Sequence, residues 1–242
     1  MKLNMIACAI GALVVSGTAA AEFSANIGVA SNYVWRGATQ TDDAAAVSGG
    51  IDYGHDSGFY VGTWASNVDF SGNLEGASSE VEWDLYGGYA NELASGFGYD
   101  VGVIYYAYPD SDDANFAELA LGVSYKFFNA GVNYTVSSDV KDTKGAADPF
   151  MEGDIYYYAG VSFDLPVESW TAGGTIGHYA FDQDGKGGGK ENDLDYTHYQ
   201  LDIGKSAGDF GDFTFSISRA DEEANGGDDD YKVFVSWAKT FD

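Results

Sequence analysis

The sequence predicts an all-β fold, a closed antiparallel up-and-down transmembrane β-barrel of about 12 strands. Three observations predict it. Apolar and polar residues alternate with period two along almost the whole chain. The connections alternate strictly between short and long. Charged residues recur in mid-strand on the face opposite the apolar one, which suits a wet lumen and not a dry core.

Composition narrows the alternatives. The 242 residues carry 11 Lys+Arg against 38 Asp+Glu, a formal charge of −27. A surface this acidic repels phosphate, so nucleic acid is not an expected partner, and a basic membrane-surface helix is excluded for the same reason. Disorder is countered by 45% hydrophobic and 16% aromatic content. Beyond the first residues no stretch reaches the roughly 20 consecutive apolar residues of a spanning helix, so any membrane crossing is made by strands.

The chain opens as a targeting segment. Lys2 is the positive flank, Met5 to Val15 the apolar run, and Ala19-Ala20-Ala21 an A-x-A site with cleavage expected before Glu22. The expected organisation is a signal peptide over 1–21 and a barrel over 22–242. The one cysteine, Cys8, lies in the leader, so the mature chain has no thiol for a disulfide or a cysteine metal site.

From there the strands follow in order. Alternation places them near 23–36, 45–54, 59–66, 81–90, 97–108, 116–127, 132–138, 155–164, 170–181, 196–204, 213–219 and 231–241. In Glu118 to Phe127, for example, Leu119, Leu121, Val123, Tyr125 and Phe127 share one face while Glu118, Gly122, Ser124 and Lys126 share the other. The short connections are His55 to Gly58, Asn91 to Gly96, Phe128 to Gly131, Leu165 to Ser169 and Lys205 to Asp212. The long ones, 38–44, 67–80, 109–115, 139–154, 182–195 and 220–230, hold 24 acidic residues against 5 in the short set. Sorting by length to one end is a feature of bacterial outer-membrane barrels, whereas a Greek-key sandwich has no reason for it.

The strand phase predicts a lumen lined by Arg36, Asp52, Glu82, Asp84, Asp100, Glu118, Lys126, Asp164, Asp202 and Lys232. Bulky Tyr60, Trp64, Tyr86, Tyr106, Tyr156, Tyr158 and Phe234 share that phase, and would either close the lumen or line a solute path. Tyr33, Trp35, Tyr105, Tyr108, Trp170 and Trp237, near strand ends, suit aromatic girdles at the membrane interfaces. The last strand ends in Phe241-Asp242, close to the terminal aromatic by which a barrel's C-terminal strand meets the barrel assembly machinery.

Ser31 to Thr41 (SNYVWRGATQT), followed by Ser48 to Tyr53 (SGGIDY) and Ser57 to Trp64 (SGFYVGTW), resembles the TorF-type porin family of proteobacteria. The resemblance implies an outer-membrane barrel of a Gram-negative bacterium with a porin role. It implies little chemistry, because that family's solutes are not fixed.

Catalytic and metal constellations are sparse. His55 sits in a short turn, His178 and His198 on neighbouring strands, where they could face each other as two ligands lacking a third. No Ser–His pair with an orienting acid stands out, so the expectation is no catalytic residue, no metal and no cofactor. Asp182-Gln183-Asp184-Gly185 opens like a calcium loop, but Asp193 occupies the twelfth position where Glu belongs, and Asp228-Asp229-Asp230 lacks any turn spacing. The sequence thus points to a narrow channel for small solutes, preferring cations. Its alternative is a plugged structural or surface-interaction barrel whose acidic loops bind divalent cations or lipopolysaccharide. In either case outer-membrane lipid and lipopolysaccharide are the expected surroundings.

Overall fold

The computed structural model describes residues 22–70, 79–111, 113–189, 192–221 and 230–242. The leader over 1–21 lies outside the described residues, as do Asp228 and Asp229. Twelve strands close into one antiparallel barrel. They are β1 (Glu22–Ala30), β4 (Ala46–Gly54), β5 (Phe59–Asn67), β6 (Val81–Glu92), β7 (Phe97–Ala107), β8 (Phe116–Tyr125), β9 (Phe128–Ser138), β10 (Ile155–Asp164), β11 (Trp170–Ala180), β12 (Tyr196–Ser206), β13 (Asp212–Ala220) and β14 (Lys232–Phe241). Two further short strands, β2 (Val34–Trp35) and β3 (Ala38–Thr39), pair only with each other.

Each barrel strand pairs with its chain neighbour, and β14 pairs with β1 to close the wall. Closure removes the free edges that would otherwise invite pairing with another chain. Odd strand-to-strand links are long and even ones short, so the two ends of the barrel differ, and both described termini lie at the short-turn end.

Period two fixes the faces. Phe23, Ile51, Val61, Val101, Leu121, Leu201 and Val233 point outward and are exposed. An apolar belt of this extent around a closed wall needs an apolar surrounding. The alternate residues point inward, and those near the long-loop end are buried: Tyr106, Phe116, Tyr156, Tyr179 and Tyr196 form one cluster inside the barrel.

Three local expectations are corrected. The first strand ends at Ala30, not Arg36, because residues 31–45 turn into the barrel. Phe128 to Gly131 is not a connection but the start of β9; Lys126-Phe127 makes the turn, with Lys126 at φ +57°. The girdle reading fails for Tyr33, Trp35 and Tyr108, which are buried inside, whereas Tyr105 and Trp170 do face outward. Aromatics at strand ends satisfy either environment, and only the path of the backbone chooses between them.

A closed strand ladder should persist in detergent. The protein should therefore migrate faster on a gel unheated than boiled, and its circular dichroism should be that of β-structure. A single heat-independent band with a helical spectrum would contradict the closed barrel.

Candidate functional site in the barrel lumen

The inward-turned segment is a small hairpin with Arg36-Gly37 at its tip. Both residues have positive φ, +49° and +89°, as a two-residue primed turn demands. Gly37 meets a second requirement, since a β-carbon there would lie 2.5 Å from Cβ of His198 on the wall. The Arg-Gly dipeptide after Trp35 is the sequence signal for this turn, and the alternation of Tyr33 and Trp35 hid it.

The turn delivers Arg36 to Glu118 of β8. Two parallel hydrogen bonds, Nη1 to Oε1 and Nη2 to Oε2, are both 2.7 Å. The guanidinium also lies 4.2 Å from the ring centres of Trp35 and Tyr156. Glu118 is fully buried and further accepts from Asn133 Nδ2 at 3.1 Å and from the hydroxyls of Tyr106 and Tyr179 at 3.3 Å. Bidentate geometry and saturated oxygens are what make a buried pair tolerable.

Other ties hold the same segment. Tyr33 and Tyr108 each donate a hydroxyl to Glu82, at 2.6 and 2.7 Å. Burial first, then the charge of Glu82, pushes both phenols well above their ordinary range, so both remain donors. Lys232 Nζ reaches Asp43 at 2.8 Å. Phe150, from the connection before β10, stacks on Phe116 with ring centres 5.0 Å apart and lies 5.9 Å from Trp35. The long-loop half of the lumen is thereby filled by the hairpin and an aromatic cluster.

The other half is lined differently. Tyr86 of β6 crosses Gly62 of β5 to donate to Asp52 of β4 at 2.5 Å, and Tyr60 of β5 crosses Gly88 of β6 to reach Asp100 of β7 at 3.0 Å. A β-carbon on Gly88 would stand 2.6 Å from the Tyr60 hydroxyl, and one on Gly131 would stand 2.6 Å from the Tyr158 ring. These tyrosines lie along the wall and do not project across the lumen.

The structure places the ten sequence-derived lumen residues as follows. Asp52, Glu82, Asp84, Asp100, Glu118, Asp202 and Lys232 are inward on strands. Arg36 is inside too, but on the hairpin tip. Lys126 is not in the lumen: it is exposed in the β8–β9 turn beside the Tyr125 ring. Asp164 keeps the inward phase but sits exposed at the short-turn rim, where β10 ends. Strand phase carries no information past the point where pairing stops, which is where Lys126 lies, whereas Asp164 still pairs with Thr171 and is exposed because it is the last residue of its strand.

Asp202 accepts from Ser216 at 2.6 Å and Gln200 at 2.9 Å. Asp84 is fully buried between Trp64 and Tyr106 on the neighbouring strands, and neither of its oxygens has a hydrogen-bond partner among the described residues. The histidines do not converge. His178 pairs in register with Thr197, points outward and contacts that residue's hydroxyl at 3.0 Å, while His198 points inward to the Tyr156 hydroxyl at 2.9 Å.

At the long-loop end the carboxylates tie backbone. Asp154 accepts from the amides of Asp182 and Met151 at 2.9 Å each, and Asp184 accepts from those of Leu194 and Asp195. Burial pushes the Asp154 carboxyl up from the usual range to about 6, against the pull of its amide donors.

The fold defines a class, the closed 12-stranded antiparallel barrel. The KdgM porin superposes with a TM-score of 0.56 at 7% identity, over 90% of this chain and 98% of that one. The NanC porin does so with 0.52 at 10%, over 90% and 98%. The COG4313 outer membrane channel of Pseudomonas putida F1 gives 0.53 at 11%, over 93% and 97%. At such identity the likeness is one of fold, and these neighbours are two porins and an outer membrane channel. No curated protein matches the sequence. The chain belongs to the Gcw_chp family, bacterial proteins of unknown function, whose model matches residues 15–236.

Two tests follow from the hairpin and the loop tether. Arg36→Ala strands a buried Glu118 and should cost about 3–5 kcal/mol, whereas replacing Arg36 and Glu118 together by Met and Leu should cost much less. The midpoint of denaturant unfolding in detergent reads both; equal losses would show that the pair is not the anchor. For Asp154, a folded-state value above the unfolded one means that the folded tether binds the proton more tightly. The tether should therefore strengthen as pH falls from about 6 towards 4 and weaken above 6. Proteolysis within 139–154 should slow over that window, and Asp154→Asn should abolish the pH dependence.

Proposed function

We propose that the protein is a porin-like channel in the outer membrane of a Gram-negative bacterium, passing small solutes with a preference for cations. In the conformation described, hairpin 31–45 closes its outer half. The observation that carries this reading is the charge of the interior. Among the described residues six inward carboxylates, Asp52, Glu82, Asp84, Asp100, Glu118 and Asp202, face two cations, and Arg36 and Lys232 are already held by Glu118 and Asp43. Carboxylates in a pore favour cations, and a low-dielectric wall focuses their field. One solved neighbour is a porin in complex with disordered oligogalacturonate, an acidic sugar chain. The acidic interior here suits solutes of the opposite sign.

The same reading assigns residues 1–21 as the export signal and places the outward apolar belt against membrane lipid, with lipopolysaccharide around the acidic loops. Strand β14 would be the contact for the barrel assembly machinery, and membership of the TorF-type porins would be consistent with all of these roles. The chain performs no catalysis in this account.

Planar-bilayer recordings test it. The native protein should show small, cation-preferring conductance, strongest at low salt because a Debye length near 10 Å at about 0.1 M leaves lumen charges poorly screened. Arg36→Ser with Tyr33→Ser, which frees the hairpin, should raise conductance several-fold. Asp52→Asn with Asp100→Asn should lower the cation preference more than neutralising Asp228, Asp229 and Asp230 on the outer loop. Anion selectivity would overturn the reading. A second reading, the plugged structural barrel, is favoured by the burial of Tyr106, Phe116 and Tyr179 around the hairpin. Silence of both the native protein and the hairpin variant would select it.

A further inference from the structure

We propose that the β4–β7 wall of the lumen is a binding site for a small organic cation, an ammonium or guanidinium group carried on an apolar body. The site deepens the cation-preferring reading and rests on it for access, but not on conduction. Its members are Asp52, Asp84 and Asp100 with Tyr60, Tyr86 and Trp64, all inward on four adjacent strands. The aromatic rings are laid along the wall over glycines. Tyr86 crosses Gly62, Tyr60 crosses Gly88, and Trp64 lies so near Gly50 that a β-carbon there would be 3.3 Å from its Cδ1. One side of each tyrosine ring is thus against the backbone and the other is left to the lumen, while Trp64 also meets the Tyr33 ring of the hairpin edge-on, with ring centres 5.6 Å apart.

The hydrogen-bond inventory then decides the ligand's chemistry. The Tyr60 and Tyr86 hydroxyls already donate to Asp100 and Asp52, so they offer no donor to an anion. What remains free is acceptor capacity: Asp100 Oδ2 and both oxygens of the fully buried Asp84 lack partners among the described residues. Among the described residues none of the three carboxylates is ion-paired, and Arg36 is held by Glu118 and Lys232 by Asp43. A ligand for this wall must supply positive charge and donors. The ring faces add a preference for a weakly hydrated cation with alkyl substance, which gains cation–π attraction and apolar burial together. A bare metal ion fits less well, because no group of three metal-type ligands converges among the described residues.

Isothermal titration of the refolded barrel in non-ionic detergent tests this, with n-butylammonium chloride, whose N–H groups donate, against potassium chloride at matched ionic strength. Butylammonium should bind saturably and potassium should not. Asp52→Asn with Asp100→Asn, and separately Tyr60→Leu with Tyr86→Leu, should each weaken binding about tenfold or more. Tyr60→Phe with Tyr86→Phe keeps the ring faces and should retain most of the affinity, which separates ring contact from loss of the wall. Unheated gel mobility identifies the variants that keep the barrel closed. No saturable heat above the potassium control, or affinity unchanged in both the acid and the leucine variants, overturns the site. Binding of butylammonium by a protein silent in bilayers would reject the channel while leaving the site intact.

Discussion

The interior of this barrel is organised by one buried ion pair. Arg36 reaches Glu118 through two 2.7 Å hydrogen bonds at the tip of a hairpin that belongs to no wall strand. Taking both charges out of water is costly, so the arrangement holds only because every surrounding group contributes. Trp35 and Tyr156 flank the guanidinium, while Asn133, Tyr106 and Tyr179 complete the carboxylate. The aromatic cluster, the ties to Glu82 and the inward path of residues 31–45 all converge on that pair. In turn they divide the lumen into a filled half and a lined half.

Glycine sets the character of the lined half. A tyrosine on one strand can lie flat only where the neighbouring strand offers no β-carbon, and Gly62 and Gly88 provide that room. The hydroxyl then reaches a carboxylate one strand further on, which pins the ring. Aromatics that look large enough to block a 12-stranded lumen are thereby kept at its perimeter, and the carboxylates between them are oriented by neutral donors. A side chain's volume alone did not decide between blocking and lining.

Acidity has two uses in the chain. Inside, Glu82 and Glu118 are anchors whose oxygens are spent on the hairpin, whereas Asp52, Asp84 and Asp100 have no cation beside them among the described residues. At the long-loop end, Asp154 and Asp184 accept backbone amides and so shape the loops they sit in. Carboxylates that look alike in composition thus separate into holding and field-making groups once their partners are known.

Period-two alternation, the sorted loop lengths and the charged mid-strand positions were enough to determine a closed barrel of 12 strands, with most boundaries within a residue or two. Side-chain direction in a strand follows from sequence parity, so Asp52, Glu82, Asp84, Asp100, Glu118, Asp202 and Lys232 were legible as inward. Parity ends where pairing ends. For that reason alternation misplaces Lys126 and assigns Tyr33, Trp35 and Tyr108 to an interface they do not occupy, whereas Asp164, still paired with Thr171, keeps its parity and only falls at the rim. Only the tertiary structure decided that residues 31–45 fold inward. That choice depends on Arg36 meeting Glu118, 82 residues away in sequence, and no local pattern encodes the separation of two such groups in space.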